Sequence, residues 1–227
     1  MRRRFHLLLL LALLGACAHA PAPPSSPIAG PYATELARFD SADRVHLPAP
    51  HEVLFVGSSS IRMWTTLVAD FPGVPVINRG IGGSELSDVV AFADRIVVPY
   101  RPRLIVLYAG DNDLAAGKTP ATVLAELRSF VAIVHRDLPG TPIAFIAVKP
   151  SIARQAILDR FRETNRLVRL YAATDLSLRF VDVFTPMLDS LGRPRRDLFL
   201  EDGLHMNAAG YAIWRDLLTP VVSAGRE

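Results

Sequence analysis

The run Val53-Leu54-Phe55-Val56 is apolar at every position and stops at Gly57. An unbroken run of this kind reads as a strand buried on both faces, as in a parallel sheet. Four further short runs follow, at residues 74–78, 103–108, 142–148 and 179–184. The segments between them read as helices. Ser87 caps one through Ile96, and Thr119-Pro120 opens another to about His135, with proline at the favoured first position. Residues 156–173 carry Phe161, Leu167 and Leu170 on or near one face, and a closing helix runs from Asn207 to about Leu218. Strands alternating with helices at this spacing predict an α/β domain, a parallel sheet with helices on both faces.

The N-terminus reads differently. Met1-Arg2-Arg3-Arg4 is basic, and residues 7–14 form an apolar run too short to span a bilayer. The run ends in Leu14-Gly15-Ala16-Cys17, which resembles the bacterial lipobox, where cleavage precedes a lipid-bearing cysteine. That resemblance implies a lipoprotein signal peptide at residues 1–16, with Cys17 as the lipid attachment site. It also implies export and anchoring in the bacterial cell envelope. Two other readings are an uncleaved anchor and ordinary cleavage after Ala20, which would put Pro21 directly after the cut. Residues 17–31 form a Pro/Ala-rich tether that cannot build a core. Residues 32–225 form the folded domain, opening with a short amphipathic helix at 32–44 that carries Leu36 and Phe39.

Charge and cysteine usage narrow the function classes. The chain has 25 Lys+Arg against 22 Asp+Glu. Removing Arg2, Arg3 and Arg4 leaves 22 against 22, so the mature protein is formally neutral, and nucleic-acid binding has no compositional support. Cys17 is the sole cysteine, which excludes a disulfide within the chain.

The chemistry-bearing residues gather in loops after the strands. These are Gly57-Ser58-Ser59-Ser60, Gly80-Ile81-Gly82-Gly83 and Gly110-Asp111-Asn112-Asp113, with Asp202 and His205 just before the last helix. In a parallel sheet such loops share the carboxyl edge, where open α/β folds build their sites. Together they supply a hydroxyl, glycine N–H groups, a carboxamide, and an aspartate three residues before a histidine. Acyl transfer needs this set: a nucleophile, oxyanion donors, a general base and a group that orients the base.

On these four blocks, in this order, the chain resembles the SGNH or GDSL esterases and lipases, and especially their platelet-activating-factor acetylhydrolase branch. The resemblance covers about residues 53–218. It implies a single-domain, three-layer α/β/α sandwich on a five-stranded, mostly parallel, flavodoxin-like sheet. It also implies Ser59 as nucleophile, His205 as base and Asp202 as its orienting acid. The oxyanion hole would comprise Ser59, Gly83 and Asn112, with no metal or organic cofactor. One position departs from the pattern: Ser58 stands where the family carries the aspartate of G-D-S, so a charge and an acceptor are lost there.

Other readings of these residues are weaker. A dinucleotide loop would need glycine where Glu85 stands. A calcium loop fails at Ala115. Gly82 reads as a turn glycine, Asp113 as a cap or surface charge, Trp64 as packing, and Arg62 as a weak candidate for touching substrate. The implied function is a serine esterase acting on a small ester, an acylated glycan or a lipid. Alternatives are an O-acetyl esterase acting on polysaccharide or peptidoglycan, and a non-catalytic envelope binding lipoprotein on the same fold.

Overall fold

The computed structural model describes residues 30–224. The segment expected to be a signal peptide, Cys17 and nearly all of the expected tether lie outside the described residues. Five strands form one sheet: β1 (Val53–Gly57), β2 (Val76–Gly80), β3 (Leu104–Tyr108), β4 (Ile143–Ile146) and β5 (Leu178–Val181). Their order is β2-β1-β3-β4-β5, and every pairing is parallel. β1 and β3 are buried at all five positions, as apolar runs covered on both faces must be.

The helices are α1 (Ala33–Val45), α2 (Ser59–Arg62), α3 (Leu67–Asp70), α4 (Leu86–Ala91), α5 (Ala93–Ile96), α6 (Asp111–Ala115), α7 (Pro120–Asp137), α8 (Leu158–Ala172) and α9 (Ala208–Val222). α7 packs against both α4 and α8 in one layer. On the other side, Trp214 of α9 packs its ring against Tyr108 of β3 and Trp64, and Trp64 meets Phe55 of β1 and Phe71. The sequence-based expectation of an α/β fold with a five-stranded parallel sheet holds. α1, expected from Leu36 and Phe39, buries those two residues and reaches the edge strand through Asp43, which pairs with Arg79.

Register sets the level at which the loops leave the sheet. Gly57 lies opposite Gly80 of β2 and Tyr108 of β3, so three chains turn upward from one line. Gly57 itself has φ +133°, and a Cβ there would lie 1.8 Å from the Tyr108 carbonyl oxygen. No other residue fits between these strands. In this strand order the direction of winding reverses between β1 and β3, which is where such folds open a crevice.

Two local expectations are corrected. Ser87 does not cap a helix running to Ile96. Glu85 is the N-cap, Asp88 accepts from the Glu85 N–H at 2.8 Å, and the helix breaks at Phe92 into α4 and α5. Ser87 instead accepts from the Lys118 ammonium at 2.9 Å. Of the two readings of Asp113, the surface charge fails and the cap holds. Asp113 is fully buried, and both its carboxylate oxygens lie within 3.1 Å of the Leu86 N–H at the start of α4.

Candidate active site

The three serines after β1 have different fates. Ser58, in extended conformation, occupies the cap position before α2 and is fully buried, its hydroxyl unpartnered among the described residues. Ser60 is also buried, and its carbonyl accepts from Tyr211 Oη at 3.0 Å. Only Ser59, the first residue of α2, is partly exposed. The strand–turn–helix geometry therefore turns one hydroxyl of the three outward. Asn78 fixes this turn to β2: its Nδ2 donates to the Ile61 carbonyl at 2.7 Å, and its Oδ1 accepts from Gly80 N at 2.9 Å.

His205 approaches from the loop before α9. Its Nε2 lies 3.1 Å from Ser59 Oγ, and its Nδ1 lies 2.6 Å from Asp202 Oδ2. Asp202 Oδ1 accepts from the backbone N–H groups of Leu204 and His205, each at 2.9 Å. Partial burial works to raise the Asp202 pKa. The His205 ring bond and the two backbone donors outweigh it and hold the carboxyl down to about 2. An ionised carboxylate only accepts, so His205 Nδ1 carries a hydrogen, and in the neutral ring Nε2 is the acceptor facing the Ser59 hydroxyl.

Two of the backbone N–H groups expected to serve as oxyanion donors are unengaged. Among the described residues, neither the Ser59 N–H nor the Gly83 N–H meets an acceptor. Gly83 has φ +75°, a left-handed turn that glycine adopts without strain, and it is exposed. The Gly82 N–H is engaged, donating to Glu35 Oε2 at 3.0 Å, in keeping with a turn role. Asn112, in the first turn of α6, donates through Nδ2 to the Ser84 carbonyl at 2.9 Å. That amide nitrogen retains one more hydrogen.

Two further expectations concern Trp64 and Arg62. Trp64 is buried and donates from Nε1 to Asp70 at 2.6 Å. Arg62 pairs with Glu35 at 3.4 Å. Among the described residues no group of His, Cys, Asp and Glu is arranged to hold a metal, and no helix is long and apolar enough to cross a membrane.

Two charged residues that the sequence reading passed over sit directly beneath the site. Lys149, just after β4, is fully buried and donates from Nζ to the Leu204 carbonyl at 2.8 Å. Burial pulls its pKa down to about 8. Arg154 donates from Nη2 to Asn112 Oδ1 at 2.7 Å. A lysine closing an otherwise apolar run (Ile143 to Val148) on the carboxyl edge of the sheet was the available signal for the first. Nothing local marks the second.

The model of the GDSL-like lipase/acylhydrolase family matches residues 29–213. No protein of curated function matches the chain. Solved structures share the fold. A candidate platelet activating factor from Streptococcus pneumonia is 22% identical, with a TM-score of 0.75 over 84% of this chain and 92% of its own. A GDSL-like lipase from Bacteroides thetaiotaomicron is 21% identical, with a TM-score of 0.71 over 82% of this chain and 96% of its own. A mutant acetyl-xylooligosaccharide esterase from Geobacillus Stearmophilus is 18% identical, with a TM-score of 0.61 over 78% and 95%.

Proposed function

The chain belongs to the GDSL-like lipase/acylhydrolase family, and from that premise we propose that it is a serine esterase using Ser59, His205 and Asp202. The observation that carries this reading is the continuous line from Ser59 Oγ through the imidazole to Asp202, with contacts of 3.1 and 2.6 Å. His205 takes the Ser59 proton as the hydroxyl attacks an ester carbonyl. Asp202 keeps the ring in the tautomer that accepts at Nε2 and stabilises the imidazolium that forms. The tetrahedral oxyanion is held by the Ser59 and Gly83 N–H groups and the remaining Asn112 amide hydrogen. His205 returns its proton to the leaving alcohol, then activates a water that releases the acid.

A second reading within esterases is removal of O-acetyl groups from polysaccharide or peptidoglycan. It takes support from the fold shared with the acetyl-xylooligosaccharide esterase. We further propose a kinship with the platelet-activating-factor acetylhydrolase-like branch and lipid anchoring in the cell envelope through Cys17, both from the sequence. Labelling with a fatty-acid analogue, with Cys17→Ser as control, tests the anchor.

Hydrolysis of p-nitrophenyl acetate tests the chemistry. Ser59→Ala and His205→Ala are expected to nearly abolish it, and Ser58→Ala and Ser60→Ala to retain most of it. Loss of activity in Ser60→Ala but not in Ser59→Ala would refute the assignment.

A further inference from the structure

The Asn112 carboxamide is the one oxyanion donor whose direction is not fixed by the backbone. A carboxamide can present either its NH₂ or its oxygen to a given side, and only the NH₂ stabilises an oxyanion. Two contacts settle its orientation. Arg154 Nη2 donates to Oδ1 at 2.7 Å, and Nδ2 donates to the Ser84 carbonyl at 2.9 Å. Turning the amide over would set its NH₂ against a guanidinium, which has no acceptor, and its oxygen against a carbonyl oxygen. Both contacts would become repulsive.

Arg154 is itself held from two sides. Its Nη1 lies 2.7 Å from Asp111 Oδ2, a charge contact without the alignment of a hydrogen bond. Asp111 Oδ1 accepts from the Asn112 N–H at 3.1 Å. The backbone next to Arg154 is tied to the His205 loop, where the Ala153 N–H donates to the Gly203 carbonyl at 3.0 Å. The Arg154 side chain is 15% exposed and that of Asp111 6%, so little solvent competes for these contacts.

We propose that Arg154 is a positioning residue of the oxyanion hole. It locks the Asn112 carboxamide with its free Nδ2 hydrogen available to the oxyanion, and its charge polarises that amide toward stronger donation. This rests on the esterase reading above. Arg154 acts through Asn112 rather than on the acyl group, so its loss falls on kcat and vanishes when Asn112 is already gone.

A double-mutant cycle with p-nitrophenyl acetate tests the proposal, using wild type, Arg154→Ala, Asn112→Ala and the double variant, with Ser59→Ala as the background rate. Arg154→Ala is expected to lower kcat between about tenfold and a hundredfold with KM little changed, a smaller loss than removing the donor itself. In the Asn112→Ala background the same substitution is expected to cost less than about twofold. Arg154→Lys, which keeps the charge beside Asp111, is expected to melt within a few degrees of wild type and still fall short in kcat. Equal losses with and without Asn112 would overturn the role of Arg154, as would a loss confined to KM. A wild-type rate no higher than that of Ser59→Ala would overturn the esterase reading instead.

Discussion

His205 Nε2 lies 3.1 Å from Ser59 Oγ although 146 residues separate them in the chain. Two anchors bring them together. The Gly57–Tyr108 register sets the height of Ser59 above the sheet. On the His205 side, Phe199 and Met206 bridge across the loop, and Leu200 N donates to the His205 carbonyl at 2.8 Å. Asp202 needs no long-range anchor, because it comes from the same turn as the imidazole it orients.

Asp202→Asn keeps the shape of the turn but lets the side-chain amide donate to the ring, which favours the tautomer with hydrogen on Nε2. Activity is expected to fall by on the order of a thousandfold or more at neutral pH, with a lowered melting temperature, since the contacts that favour the charged carboxylate are weakened. The carboxyl, held near 2, lies below its unfolded value of about 3.9. The stability it contributes is therefore complete above about pH 4 and lost as pH falls toward 2. A carbon-13 NMR titration of Asp202 with its midpoint near 4 would contradict this.

Asn112→Ala removes one oxyanion donor and the partner of Arg154. Loss of such a donor costs about 3 kcal/mol in transition-state stabilisation, on the order of a hundredfold or more in kcat. Steady-state kinetics on p-nitrophenyl acetate should show that drop with KM nearly unchanged. A rise in KM at constant kcat would assign Asn112 to substrate binding instead.

Lys149 sets activity against stability. Its charge is fully buried, and its pKa is pulled down to about 8, against about 10.4 unfolded. Between those values the unfolded chain binds more protons than the folded one, so this group makes stability rise with pH across that window. Lys149→Met is expected to abolish that rise and to keep or increase the melting temperature near pH 7, since Arg154 still neutralises Asp111. It removes the donor to the Leu204 carbonyl, so kcat is expected to fall. Chemical denaturation between pH 7 and 10, alongside kinetics, checks both halves.

Asp113 supports the site from below α4. Burial raises its pKa, and the Leu86 N–H and the Lys118 ammonium oppose that rise. Lys118 also pairs with Glu85 and Glu126, so Asp113→Ala does not strand the ammonium. It does leave the buried Leu86 N–H without an acceptor, at a cost of about 1–3 kcal/mol. Urea denaturation should show that loss, and unchanged stability would contradict the capping role.

The parts of this molecule that were legible in the sequence are those with a local signature. The apolar runs at Val53 and Leu104 announced strands covered on both faces, and the small residues that follow announced where the chain turns. Strand ends were less legible. The fifth strand stops at Val181 rather than Phe184, because Asp182 accepts from the Phe184 and Thr185 N–H groups and turns the chain there. Ser59, Gly83, Asn112, Asp202 and His205 could be named because each sits in a short loop of recognisable chemistry. Arg154 and Lys149 could not. Their contacts with Asn112 and Leu204 span 42 and 55 residues; in one dimension Arg154 reads as a solvated charge, and only the apolar run that Lys149 closes hints at its burial.

The most direct measurement of the central claim is intact-protein and peptide mass spectrometry after treatment with a fluorophosphonate, which traps an activated serine. The account predicts one adduct per chain, carried on Ser59, that is lost in both Ser59→Ala and His205→Ala. An adduct on Ser58 or Ser60, or undiminished labelling in His205→Ala, would contradict it.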